Sequence, residues 1–175
     1  MATLTHTHST LDRPAVRFVV GALIAGMVYG MWTMMVETVL HAGQGIVQAF
    51  FSPVVYIAAT VLGGFGNPNF YPAGQLPPAD PVAIVLGLMG HMMNSLIFGV
   101  MFLWLVDRFA DADKARVLAG LVYGAIVFGV MWYLVTPVVD PVMTRVNYLG
   151  FLAGHMMYGI GLGLTANWVR HVHTH

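Results

Sequence analysis

The chain has no cysteine and very little charge. Without a thiol, disulfides, Cys-ligated zinc and iron–sulfur clusters are excluded. Charged residues make up 8% of the sequence and apolar residues 58%, whereas a soluble domain carries about a quarter charged residues. Such a chain cannot cover a water-facing surface in the ordinary way. Seven acidic residues balance seven Lys and Arg, which leaves no basic surplus for nucleic acid or for a strongly cationic membrane-surface protein. A signal-peptide pattern is missing too. Residues Met1 to Arg13 are polar, and the first apolar run is long enough to span and is followed by more spans, so it reads as a retained helix. There is no phosphate loop, dinucleotide fingerprint or Ser-His-Asp pattern. What is left is a multispan membrane protein whose first partner is the lipid bilayer.

Four segments can cross a hydrocarbon core of about 30 Å, which takes about 20 helical residues. They run from Phe18 to Leu40, Val82 to Val106, Val117 to Val139 and Tyr148 to Val169. Pro81 stands at a helix-start position before the second, and Arg170 ends the fourth. Residues 1–17 form a polar N-terminal tail, 18–170 one transmembrane domain, and 171–175 a histidine-containing tail. A fifth apolar run, Ile46 to Leu62, is short and interrupted by Pro53. If it does not cross, Arg13, Arg17, Arg108, Lys114, Arg116 and Arg170 share one side and Arg145 alone takes the other, a positive-inside pattern with both termini cytoplasmic. If it crosses, that bias collapses. The run therefore reads as a re-entrant or interfacial helix within an outer insertion, 42–81, whose irregular backbone must be buried against protein. The Gly/Pro/Asn-rich stretch from Gly63 to Pro81 shows no helical or strand period and reads as an outer loop.

Two short motifs occur twice. Gly90-His91-Met92-Met93 matches Gly154-His155-Met156-Met157, and Gly26-Met27-Val28-Tyr29-Gly30 matches Gly120-Leu121-Val122-Tyr123-Gly124. Tyr29 to His91 is 62 residues and Tyr123 to His155 is 32; the surplus matches the outer segment. The pattern predicts an all-α, four-helix bundle of two hairpin repeats related by an axis along the membrane normal, with the insertion in the first. The paired glycines four apart suit close helix packing.

Polar groups at membrane depth are where function concentrates. In this topology Glu37 and His41 end the first span, and His91 and His155 lie near the start of the second and fourth, so all four are expected in the outer half at similar depth. Spans two and four are diagonal in an up-down-up-down bundle, which would set the two imidazoles across the axis from each other. His91 and His155 could hold a haem b iron as axial ligands, with the adjoining glycines making room for the porphyrin. His91, His155, His41 and Glu37 could instead bind copper, iron or zinc. Met92 and Met93 point about 100° and 200° away from His91 on a helix, so they read as packing or interface residues, as do Met156 and Met157. Structural readings stand beside these: His41 at a wet interface, His91 bonded to Asn94, Ser95 or another span's hydroxyl, and His155 to Tyr158 or a backbone carbonyl. His6, His8, His171, His173 and His175 read as tail residues, Trp104, Trp168 and Tyr148 as aromatic belts, and Asp107, Asp111 and Asp113 as part of a solvated inner turn.

The second, third and fourth spans, with Gly87 to His91, Gly120 to Gly124 and Gly154 to Gly159, resemble a family of small uncharacterised four-span bacterial inner-membrane proteins. The resemblance implies fold and an inner-membrane location, and no activity. The expected function is a haem- or transition-metal-binding subunit serving electron transfer or a membrane oxidative complex. The alternatives are a noncatalytic accessory subunit docked on other transmembrane subunits or on its own copies, and a small proton-coupled transporter using Glu37.

Overall fold

The computed structural model describes residues 13–106 and 108–170, and every regular element among them is helical. Helix α1, Pro14–His41, opens on a proline, whose fixed φ suits a first helical position and whose missing N–H costs nothing there. A short 3-10 turn and Gly45, at φ 124°, swing the chain into α2, Ile46–Leu62. Helix α3, Pro81–Val106, is capped by Asp80, whose Oδ1 accepts the Ala83 N–H at 2.9 Å. Helix α4, Asp113–Val130, runs through a π turn at Met131–Val135 into α5, Thr136–Val139. Pro137 has no N–H to give there, and Thr136 Oγ1 donates back to the Trp132 carbonyl at 3.1 Å. After a 3-10 turn at Pro141–Arg145, α6, Tyr148–Arg170, is capped by Asn147, whose Oδ1 accepts the Gly150 N–H at 2.8 Å.

Four helices, Pro14–Gln44, Pro81–Val106, Asp113–Val139 and Tyr148–Arg170, are long and apolar enough to cross a membrane. The shortest has 23 residues, about 35 Å at 1.5 Å per residue. The four expected segments are therefore helices of spanning length, with α1 and α4 each starting four residues earlier than the apolar runs suggested. Ile46–Leu62 is one continuous helix of 17 residues despite Pro53. It buries Ala49, Ser52, Val54, Val55, Tyr56, Ala58 and Ala59 against α1, α3 and the turn at 141–145. Residues 63–80 form no helix, in agreement with their composition. Arg145 clasps this loop, its guanidinium donating to the carbonyls of Pro68, Tyr71 and Pro72 at 2.9, 3.0 and 3.2 Å.

Glycines set which helices meet. Gly120 of α4 lies backbone to backbone against Gly159 of α6, and Gly124 against the His155 carbonyl. Gly161 of α6 faces Ala25 of α1, and on α1 Gly26 and Gly30 face Ser95 and His91 of α3. The order around the bundle is thus α4, α6, α1, α3. The seam that would close this ring, between α3 and α4, is held by few contacts, whereas α4/α6 and α1/α6 pack along their lengths. Two apolar clusters fill the interior. One, at the long-loop end, joins Val55, Tyr56, Phe128, Val142 and Phe151; the other, at the end with residues 13 and 170, joins Phe18, Ala22, Phe102, Tyr158 and Leu162. Large exposed apolar side chains such as Val39, Met89, Val100, Leu118 and Leu164 line the outside, the surface a lipid-facing bundle presents. At the end with the termini, Arg17 lies over Trp168 at 5.3 Å and Arg108 over Trp104 at 3.8 Å, as belt residues do. His6, His8, His171, His173, His175 and Asp107 lie outside the described residues.

Candidate functional site

Where α3 and α4 part, they leave a cavity of about 320 Å³. Its walls are mostly apolar, and its polar lining comes chiefly from Tyr29 of α1, Thr60 of α2, His91 and Asn94 of α3, Asp140 and His155. A concave apolar site with a few polar groups converging on it is the usual form of a small-ligand site. His91 and His155 are both buried, at 8% and 4% exposure. The Tyr29 ring packs on both, with centroid separations of 5.1 Å to His91 and 4.6 Å to His155. Phe151 and Phe128 pack on His155 from the other sides, at 4.4 and 5.9 Å.

The hydrogen bonds fix the tautomers. His91 Nε2 lies 2.8 Å from the Gly26 carbonyl oxygen, and His155 Nδ1 lies 2.9 Å from the Phe151 carbonyl oxygen. A carbonyl only accepts, so each of these nitrogens carries the hydrogen. In the neutral rings, Nδ1 of His91 and Nε2 of His155 are then the lone-pair nitrogens. A nitrogen on one side of a ring donating to a carbonyl is how ligating histidines are commonly oriented. The bonds foreseen for His91 with Asn94 or Ser95 take another form. Ser95 Oγ donates to the His91 backbone carbonyl at 2.9 Å, and the Tyr158 hydroxyl donates to the Ser95 carbonyl. For His155, the foreseen backbone carbonyl is the partner found.

Glu37 and His41 are elsewhere. Glu37, 1% exposed, accepts the Asn147 N–H on Oε1 at 2.6 Å and has His41 Nε2 3.3 Å from Oε2. The expectation that all four groups share one depth fails on helix rise. Gly30, which faces His91 Nε2, is seven residues before Glu37, about 10 Å along α1; His155 is eight residues past Asn147, about 12 Å along α6. The structure brings together two pairs, His91 with His155 and Glu37 with His41. Among the described residues no three His, Asp or Glu side chains gather into a group able to hold a metal ion, so the set Glu37, His41, His91 and His155 is not one cluster. With both oxygens engaged, Glu37 ties α1 to the start of α6, and His41, about one-third exposed, sits at the bundle's end.

Three further groups line the cavity. Met93 lines the cavity, although its helical angle sets it away from His91. The cavity covers a broad arc of α3, and the two residues stand near opposite edges of it. Met131 lines it from the π turn of α4. Asp140, 8% exposed, directly follows the apolar run that ends at Val139. Its Oδ1 is buried with no hydrogen-bond partner. Burial pushes its carboxyl up to about 6, with the Thr60 hydroxyl and the Met143 and Val142 N–H groups pulling the other way. A raised carboxyl holds its proton in the folded chain where the unfolded chain has lost it, so this group's contribution to stability declines as pH rises from about 4 to about 6. Asp140→Asn should remove that slope and raise the unfolding midpoint at neutral pH, as read by thermal unfolding in detergent across this range. An unchanged slope would mean that Asp140 is not the group responsible.

No family model, curated protein or solved structure matches this chain. Fold and site together define its class: an integral membrane helical bundle of four candidate spans with a histidine-lined cavity among them.

Proposed function

We propose that the protein is a metal-binding membrane subunit in which His91 and His155 ligate one soft transition-metal ion, cuprous copper best, in service of electron transfer or a membrane oxidative complex. The observation that carries this is the pair of neutral imidazoles lining one cavity, each with its N–H tied to a backbone carbonyl and its other nitrogen left as a donor. The thioethers of Met93 and Met131 line the same cavity, and imidazole with thioether is a donor set suited to Cu(I). Haem has less support, because Nε2 of His91 is held by Gly26 and Tyr29 packs on both rings. In this reading the protein is two hairpin repeats. Gly30 meets His91 as Gly124 meets the backbone of His155, and Gly26 meets Ser95 as Gly120 meets Gly159, at matching offsets in both hairpins. The charge pattern then puts both termini on the cytoplasmic side and the insertion 42–81, with α2 as a re-entrant or interfacial helix, on the outer face.

Purified protein titrated with Cu(I) under reducing conditions should bind one equivalent, and His91→Gln/His155→Gln should weaken binding by about 100-fold or more. Zinc and haem are the comparison arms. Wild-type protein that takes up no copper, or a double variant that binds it as well, would overturn the reading; a Soret band on adding haem would replace it with the haem one.

A further inference from the structure

The cavity opens sideways, along the parted seam between α3 and α4. Met93 of α3, Val61 of α2 and Phe65 of the loop line it, yet they are 59%, 71% and 78% exposed, so they form its rim. At the loop end the Gly66 N–H donates to the Val139 carbonyl at 3.0 Å. At the other end the Tyr123 hydroxyl ties α4 to α3 through the Phe98 carbonyl at 2.7 Å. A rim this apolar, on the side of a spanning bundle, faces lipid. Beside Met93, Asn94 is partly exposed and lines the cavity. It stands thirteen residues after Pro81 and twelve before Val106, about 18 to 20 Å from the two ends of α3. That is the middle of the span. Among the described residues the Asn94 amide has no hydrogen-bond partner. An amide left bare at that depth is costly unless a ligand supplies the partner.

The lining restricts what that ligand can be. No Lys or Arg lines the cavity, so the phosphate of a phospholipid would enter without a counter-charge. The head must be neutral. Tyr29, Phe98 and Phe151 supply aromatic walls, which suit a flat ring. We propose that the cleft between α3 and α4 binds a lipid-soluble quinone, which enters from the bilayer with its ring in the cavity and a ring oxygen on the Asn94 amide. Its tail stays in the seam. A side-chain amide serves both redox forms, because Nδ2 donates to a quinone carbonyl and Oδ1 accepts from a quinol hydroxyl. The site needs no metal at His91 and His155 and stands apart from the metal reading.

The test uses full-length, copper-free protein in lipid nanodiscs and a photoreactive azido-benzoquinone with a decyl tail. Labelled peptides are mapped by mass spectrometry, with unlabelled decyl-benzoquinone as competitor. Label should fall on the cavity-facing residues of α3 and α4, and the competitor should abolish it while decanol does not. Asn94→Leu should weaken binding by about tenfold and unfold no earlier than the native protein, since its amide has no partner to lose. Val135→Trp, which adds bulk to the α4 side of the cavity and keeps the amide, should block labelling. Native affinity in both variants, or label spread over the whole lipid-facing surface, overturns the proposal. So does a phospholipid that copurifies in the cleft and is not displaced by the quinone. Any of these outcomes in protein that still binds Cu(I) leaves the histidine reading intact.

Discussion

Gly120→Ala is expected to destabilise the bundle by about 3 kcal/mol, and Gly120→Leu to leave no folded protein in detergent. A Cβ on Gly120 would run into the Gly159 carbonyl oxygen and stand 3.2 Å from Gly163 N; on Gly159 it would stand 2.9 Å from Gly124 N. Both neighbours are backbone, so no rotamer change relieves the overlap and the helix axes must separate along the α4/α6 contact. In lipid that contact has little apolar driving force to fall back on, since a displaced helix meets hydrocarbon of equal polarity. The control lies on the same helix. A Cβ on Gly129 meets nothing within 4 Å, so Gly129→Ala should gain up to about 1 kcal/mol from helix propensity alone. Unfolding of the two variants by SDS titration in mixed micelles separates the effects. Equal stability of Gly120→Ala and Gly129→Ala would show that the helices do not meet at Gly120.

That contact was partly legible in the chain. Glycines four apart announced close packing, and apolar length announced the four spans, because both follow from local spacing. Which seam would stay open was not legible. In a bundle of two equal hairpins, α1 would meet α6 as α4 meets α3; here the first seam is closed and the second is parted. In the two-repeat reading the visible difference is α2. It presses the carbonyl of Val54 against Gly87 of α3, a contact with no counterpart in the second hairpin, where Phe151 stands at the matching position. A tertiary contact of this kind leaves no period in the sequence.

The candidate site shows the same division. His91 and His155 stood out because an imidazole in hydrocarbon is costly, and repetition in one local setting made chance a poor explanation. Depth was misjudged for Glu37 because it was counted from the ends of apolar runs, whereas α1 extends from Pro14 to His41 and meets His91 near its own middle. Asp140 was hidden by its position, since an acid after a hydrophobic run is normally solvated, and only the fold of α2 and the loop over it buries this one. Met93 was set aside on an angle that is right for the helix but irrelevant to a cavity wrapping around much of it.

Glu37→Leu should cost about 3 kcal/mol of stability, and Glu37→Gln about 1 kcal/mol, with copper binding preserved in both. The first N–H groups of α6 need acceptors away from water. Asn147 supplies one with its own side chain, to Gly150. Its backbone N–H in turn donates to Glu37 Oε1 at 2.6 Å, while Trp32 Nε1 donates to the Gly150 carbonyl at 3.0 Å. Two side chains of α1, five residues apart, thus hold the start of α6. Leucine at position 37 would leave the Asn147 N–H without its acceptor, which is the expensive outcome. Glutamine keeps an acceptor and loses only the anion beside the helix N-terminus. Because the histidine pair lies about 10 to 12 Å deeper along both helices, neither change should reach it once the bundle is folded. The two measurements, unfolding midpoint and copper stoichiometry, therefore part in a defined way. Stability should fall in the order native, Gln, Leu while stoichiometry stays level. A Glu37→Gln protein that is stable yet binds no copper would return Glu37 to the metal site and show that the two pairs act as one.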